Sequence, residues 1–165
     1  MSTWTPDWPP SLAEVFRDHG YASFEAQLLE SSLFVLLLAA ETAGRITVHK
    51  KKNIGSELWL SKQTLGYLIT ELKKGGVKED LDLLLAEANT ERVDLAHHFF
   101  NRHGESMQTE EGRERMLHEL QKIRFKIGRA RIVIEGFKEE FIERVFGLSR
   151  DQIRLLYEQK RKELG

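Results

Sequence analysis

The chain has 165 residues, a formal net charge of −1 and no cysteine. Disulfide bonds and thiolate-bound zinc are therefore excluded, and no overall positive field draws the protein to nucleic acid. A hydrophobic content of 41% at this length is typical of one folded domain, so we predict a single domain over residues 1–165.

The N-terminal residues 1–10 contain three prolines, which forbid a regular helix and predict an extended arm. Trp4 and Trp8 would either pack this arm onto the rest of the protein or bind a partner. No secretory signal is visible, and the longest apolar run, Leu33–Ala40, is far shorter than the ~20 residues of a membrane-spanning helix. We therefore predict a cytoplasmic protein without a membrane segment.

Two helices are predicted near the N-terminus. Ser11 and Glu14 have the spacing of a capping box and predict a short helix that stops at Gly20. The next helix is predicted from Ser23 to Ala43, with Gly44 ending it. Its apolar stripe is predicted to comprise Phe24, Leu28, Leu29, Leu33, Leu36, Leu37 and Ala40.

Further helical patterns fill most of the remaining chain. Ser61 is predicted to cap a helix that ends near Lys74. Another helix begins near Lys78 and either breaks at Asn89–Thr90 or continues to Phe100.

A long helix is predicted from Thr109, with Gly147 just past its end. Ser149 and Gln152 form a second capping box, which opens a last helix over residues 149–164. Residues 23–146 would be the core of an all-α helical bundle, with antiparallel core helices and a long C-terminal helix. The apolar positions of the long helix include Met116, Leu120, Ile123, Ile127, Ile134, Phe137, Phe141, Val145 and Phe146.

The stretch from Glu91 to His103 holds three of the six histidines and is the best candidate for chemistry. Arg92 and His97 are five residues apart, which on a helix is ~140° around the axis and ~7.5 Å along it. Asp94 is three residues before His97 and four before His98, so on a helix it would reach either imidazole and fix its tautomer.

These groups suit cleavage of RNA by its own 2′-hydroxyl. An imidazole titrates near neutral pH and can take the hydroxyl proton, while an arginine stabilises charge that develops on the phosphate. The candidate catalytic residues are therefore Arg92, His97, Asp94 and His98. No metal or cofactor is needed, because the substrate supplies its own nucleophile.

The segment from Arg92 to His97 resembles the Arg-x4-His motif of the HEPN superfamily (higher eukaryotes and prokaryotes nucleotide-binding domains). The segment 64–69 is also similar to the helical core of small prokaryotic members, and the resemblance covers roughly residues 23–146. It implies an α-helical bundle, a homodimer and often a metal-independent endoribonuclease that serves as a toxin or in anti-phage defence. It also implies a frequent partner, an antitoxin of the nucleotidyltransferase type.

One position departs from that motif. Active members usually have Asn, Asp or His directly after the arginine, where this chain has Val93, and Asp94 comes one residue late. A non-catalytic helical module that binds a nucleotide or a protein partner is therefore the alternative.

Two further features bear on ligands. His97, His98, His103 and Asp94 lack the spacing of known metal motifs, so we predict no metal site. The segment 122–131 has five bases and no acid, and it either holds an RNA backbone or forms a solvated helix face. Its candidate RNA-binding residues are Lys122, Arg124, Lys126, Arg129 and Arg131.

Overall fold

The computed structural model describes residues 10–47, 63–74, 79–149, 151–152 and 154–155. The helices are α1 (Pro10–Thr42), α2 (Leu65–Lys74), α3 (Glu79–His97), α4 (Phe99–Arg102) and α5 (Glu110–Phe146), and a 3₁₀ turn spans Ser106–Gln108. No strand forms within these ranges, which confirms the prediction of an all-α helical bundle. The predicted arm lies outside them, except that its last residue, Pro10, is the first residue of α1.

The chain forms two compact units. Unit 1 comprises Met1–Leu29 and Lys78–Arg131, and unit 2 comprises Glu30–Val77 and Ile132–Gly165. Helices α1 and α5 each contribute residues to both units. The single domain that we predicted over residues 1–165 stays a prediction.

Four helices of unit 1 have directions that follow from their contacts. Arg113 donates to Ser11 and Arg131 pairs with Glu25, so α1 and α5 run parallel. His19 contacts Leu95, and the rings of Phe16 and Phe100 lie 5.3 Å apart, so α3 and α4 run opposite to α1. The core of this unit contains Val15, Ala22, Ala26, Leu29, Leu81, Leu85, Ala88, Leu95, Phe99, Met116, Leu120, Ile123, Ile127 and Ala130.

Helix α1 is continuous through Gly20, so the predicted stop there is wrong. A glycine inside a helix costs only about 1 kcal/mol relative to alanine, and the buried positions Val15 and Ala22 continue the packing face across it. The predicted capping box is also wrong, because Ser11 lies inside the helix and its Oγ accepts a hydrogen bond from Arg113 Nε at 2.7 Å.

Burial in α1 does not follow the predicted stripe throughout. Leu29, Leu33, Leu36, Leu37 and Ala40 are buried as predicted, but Phe24 is 56% exposed. Phe24 lies two positions from both Ala22 and Ala26, which is ~200° around the axis, and those two alanines face the core. On α5, Phe137 and Phe146 are likewise exposed and not part of the core.

In unit 2, the buried face of α2 consists of Leu65, Leu68, Ile69 and Leu72. The first turn of α2 is capped from outside, since the backbone N–H of Leu65 donates to Glu30 Oε1 at 3.3 Å. The predicted cap, Ser61, lies outside the described residues. The predicted end of α2 near Lys74 is confirmed.

Helix ends elsewhere match the predictions. Gly44 and Gly147 have φ of 66° and 65° just past the ends of α1 and α5, as expected of glycine in a left-handed conformation. Thr109 Oγ1 accepts from the N–H of Gly112 at 3.1 Å, which caps α5. Ser149 and Gln152 donate to each other's side chains at 2.8 and 3.3 Å, which confirms the second capping box.

By length and composition alone, the segment Ser11–Thr42 of α1 is able to cross a membrane. The core helix of a water-soluble protein meets the same criterion, and Val15, Leu29 and Leu37 of α1 are completely buried. A cytoplasmic location without a membrane segment stays a prediction.

Candidate functional site

Two histidines occupy the break between α3 and α4. Helix α3 runs through Asn89–Thr90 without interruption and ends at His97. His98 has φ −123° and ψ −26°, outside helical geometry, and α4 begins at Phe99. Both imidazoles are exposed, with ring centroids 6.3 Å apart, and neither ring has a hydrogen bond to another described residue.

Phe99 and Phe100, which follow this break, pack against His19 of α1. The ring of His19 lies 5.8 Å from that of Phe99 and 4.6 Å from that of Phe100. Its Nε2–H donates to the carbonyl oxygen of Leu95 at 3.2 Å, which fixes a proton on that nitrogen. Phe99 is completely buried, so the exposed histidines directly precede a residue of the packed core.

Arg92 lies on α3, five residues before His97. It is half-buried and has an interaction partner of its own, whereas His97 is exposed. Because both are on one regular helix, ~140° separates them around its axis. The two side chains therefore leave α3 in different directions.

The carboxylate of Asp94 is bound by Arg102. Arg102 donates from its two terminal nitrogens to Asp94 Oδ1 and Oδ2 at 2.5 and 2.7 Å. These hydrogen bonds lower the pKa of Asp94, and positive charge on Arg102, His98 and His103 adds to the effect against partial burial. Because Arg102 binds both oxygens of Asp94, this carboxylate does not orient an imidazole by a hydrogen bond as predicted. It interacts with His98 only through charge.

Arg102 also joins α3 to α5. Its guanidinium donates to Glu119 Oε1, and Nε2–H of His103 donates to Glu119 Oε2 at 2.8 Å. The two carboxylates raise the pKa of Arg102. We call Asp94, Arg102, His103 and Glu119 the Arg102 cluster. This cluster is not visible in the sequence, because its members are up to 25 residues apart and are separated by a helix break and a turn.

The five candidate RNA-binding side chains differ in their surroundings. Lys126 pairs with Glu91 at 2.5 Å and Glu87 at 3.2 Å, and the hydrogen bond to Glu91 is the main cause that raises its pKa. Arg131 pairs with Glu25 at 2.6 Å. Lys122, Arg124 and Arg129 form no ion pair with any described residue.

Those three cations lie near aromatic rings or in the open. The guanidinium of Arg124 is 5.2 Å from the ring centroid of Tyr21, and that of Arg129 is 5.8 Å from the ring centroid of Phe125. Both distances are within the range of cation–π contacts. Lys122 is exposed beside Phe125.

Within the described ranges, no group of three or more histidines, aspartates or glutamates is arranged to hold a metal ion. Comparisons with protein-family models, with curated proteins and with solved structures found no match to this chain. The class that the fold defines is an all-α helical bundle.

Proposed function

We propose that this protein is a HEPN-like, metal-independent endoribonuclease that acts as a homodimer. The observation that carries the proposal is the pair of exposed imidazoles at the α3–α4 break, His97 and His98, which are five and six residues past Arg92. Neither ring hydrogen-bonds to another described side chain, so both are accessible to a substrate.

In this proposal His97 takes the proton of a ribose 2′-hydroxyl. The 2′-oxygen then attacks the adjacent phosphorus, and the bond to the 5′-oxygen breaks, which leaves a 2′,3′-cyclic phosphate. His98 returns a proton to the 5′-oxygen, and a separation of 6.3 Å between the ring centroids suits contact with the two sides of one phosphate. The charge of His98 contributes to the lowered pKa of Asp94, so the two side chains lie within electrostatic range of each other.

The role of Arg92 is to stabilise negative charge on the non-bridging oxygens of that phosphate. Since Arg92 and His97 point to different sides of α3, the arginine at each site would come from the second chain. The basic segment 122–131 of α5 would hold the RNA backbone. A toxin or anti-phage role and an antitoxin partner follow from the resemblance.

The test is incubation of purified protein with total RNA in EDTA. The wild type should cleave the RNA, while His97→Ala and Arg92→Ala should abolish cleavage. Thr90→Ala is the matched control, because Thr90 is exposed on the same helix and its hydroxyl donates to the backbone carbonyl of Ala86. Intact RNA with the wild type, or full cleavage by His97→Ala, would refute the proposal.

Mixing the two inactive variants tests the role of the second chain. If Arg92 acts across a dimer, a mixture of Arg92→Ala and His97→Ala chains should regain part of the activity, since some mixed dimers have one complete site. If both residues act within one chain, the mixture should stay inactive.

A second candidate function is a non-catalytic module that binds a protein partner. It is favoured by large apolar side chains that stay exposed on α5 in unit 2, namely Ile132, Val133, Phe137 and Phe146. Under this function RNA stays intact, and Phe137→Asp should abolish partner binding while His97→Ala leaves it unchanged.

A further inference from the structure

Phe125 is the most exposed phenylalanine of unit 1, with 65% of its surface accessible. A large apolar side chain on the outside of a helix is not unusual by itself. Its neighbours are unusual, because Lys122 lies one turn before it and Arg129 one turn after it. On a regular helix these three positions lie within ~60° of one another and span ~10.5 Å.

The positive charge at this surface is not neutralised by the residues that the structure describes. Neither Lys122 nor Arg129 pairs with a carboxylate of the described residues, and Arg124 contacts the ring of Tyr21. Lys126 differs, since Glu91 and Glu87 hold its ammonium group. Arg129 itself lies over the exposed ring of Phe125, with its guanidinium 5.8 Å from the ring centroid, so two cations without a carboxylate partner among the described residues stand at this ring.

The charge of this surface changes along α5. At the N-terminal side of this surface, a groove of about 660 Å³ is lined by Glu111, Glu114, Arg115, His118, Glu119 and Lys122, so its acidic side chains outnumber its arginine and lysine. Beside Phe125, a smaller groove of about 290 Å³ is lined by Gln121, Lys122 and Lys126 and has no acidic residue. A polyanion would therefore lie from Lys122 toward Arg129.

We propose that the ring of Phe125, between Lys122 and Arg129, is a stacking site for a base of single-stranded RNA. That the strand is RNA rests on the ribonuclease proposed above. Cations without an aromatic ring bind any polyanion, whereas an exposed ring also favours unpaired bases. In a duplex the bases are already stacked, so the ring gives single strands the advantage.

The test uses a fluorescein-labelled oligo(2′-deoxyuridine) of about 12 nucleotides, a length within the site sizes of known single-strand binders. It lacks the 2′-hydroxyl, so it cannot be cleaved by internal attack. Fluorescence anisotropy should show binding by the wild type and about tenfold weaker binding by Phe125→Ala. Phe125→Trp should bind at least as tightly as the wild type. The matched control is Leu83→Ala, which removes an apolar side chain that is 67% exposed on α3.

The contributions of charge and of stacking to the affinity can be told apart by their dependence on salt concentration. Lys122→Ala and Arg129→Ala should each lower the slope of log affinity against log salt by about 0.7, the value for one phosphate contact to a single strand. Phe125→Ala should leave that slope unchanged. An unlabelled duplex of the same length should compete less well than the single strand.

The inference is overturned if the oligonucleotide does not bind, if Phe125→Ala binds like the wild type, or if duplex competes equally. Its failure is distinguishable from failure of the ribonuclease. Cleavage of total RNA by both the wild type and Phe125→Ala, with equal binding, would remove only the stacking site. Binding that depends on Phe125, together with RNA that is never cleaved, would remove only the nuclease.

Discussion

Arg102 holds both carboxylate oxygens of Asp94, at 2.5 and 2.7 Å, across the break between α3 and α4. Two parallel N–H···O bonds of this kind fix the relative orientation of the two side chains. Since Arg102 also donates to Glu119 on α5, this one residue ties three consecutive helices of unit 1 together beside His97 and His98.

Replacement of Arg102 should loosen this connection. We expect Arg102→Ala to lower the free energy of unfolding by about 1 kcal/mol at pH 7, because the cluster is partly exposed and its hydrogen bonds are charge-assisted. Urea unfolding followed by circular dichroism measures this. Arg144→Ala is the control, since its pair with Glu140 is largely exposed and should contribute less than about 0.5 kcal/mol. Equal effects of the two variants would contradict the assigned role.

The pH dependence of stability should report on Asp94. Its pKa in the folded chain is lowered from 3.8, so the ionised form stabilises the fold at pH values above 3.8. That contribution is lost as the pH falls through the lower folded value. We therefore expect the stability difference between wild type and Asp94→Asn to be largest near neutral pH and to shrink below pH 3.8. Urea titrations across this range test it, and a constant difference would rule it out.

Gly112 should not tolerate a side chain. An added Cβ would lie 2.1 Å from the carbonyl oxygen of Ser106, where the 3₁₀ turn packs against the first turn of α5. Backbone atoms cannot move aside cheaply, so Gly112→Ala should destabilise the protein by about 2 kcal/mol.

Gly20→Ala is the opposite case. Nothing lies within 4 Å of a Cβ at this helical position, so the substitution should stabilise the protein by about 0.5–1 kcal/mol. Thermal unfolding of the two variants should shift the midpoint in opposite directions. A loss of stability in Gly20→Ala would argue against a continuous α1.

Arg113 should stabilise the start of α1 and the 3₁₀ turn together. Its Nε donates to Ser11 Oγ at 2.7 Å and its terminal nitrogen to the carbonyl oxygen of Met107 at 2.8 Å. Arg113→Met loses both bonds and should cost about 1–2 kcal/mol, whereas Ser11→Ala loses only one and should cost about half as much. Urea midpoints of the two variants and of their combination provide the measurement, and additive effects would indicate that the two residues do not interact.

The sequence predicted the ends of α1 at Gly44 and of α5 at Gly147, but not the continuity of α1 through Gly20. Gly44, Gly147 and the Ser149–Gln152 box act locally, so their patterns are visible in a few neighbouring residues. The inner face of α1 depends on Ala22 and Ala26, whose small side chains allow close approach of neighbouring helices. A stripe chosen by large apolar residues selects Phe24 instead.

The candidate site was predictable only in part. That both His97 and His98 are exposed was not predictable from their place in a histidine-rich stretch. The partner of Asp94 was not predictable from helical spacing, because Arg102 lies eight residues on, beyond a break that no single residue marks. Likewise, nothing local connects Lys126 to Glu91, which is 35 residues away.

The pairing of α1 with α5 has a consequence for how the protein is made. Ser11 and Arg113 are 102 positions apart, and Glu25 and Arg131 are 106 apart. At the usual pace of a ribosome, roughly 5–20 s pass between the emergence of the first helix and that of its parallel neighbour. During this delay only the earlier helices can cover the apolar side of the first helix, so a stalled or shortened chain that ends before α5 should be retained by chaperones or aggregate.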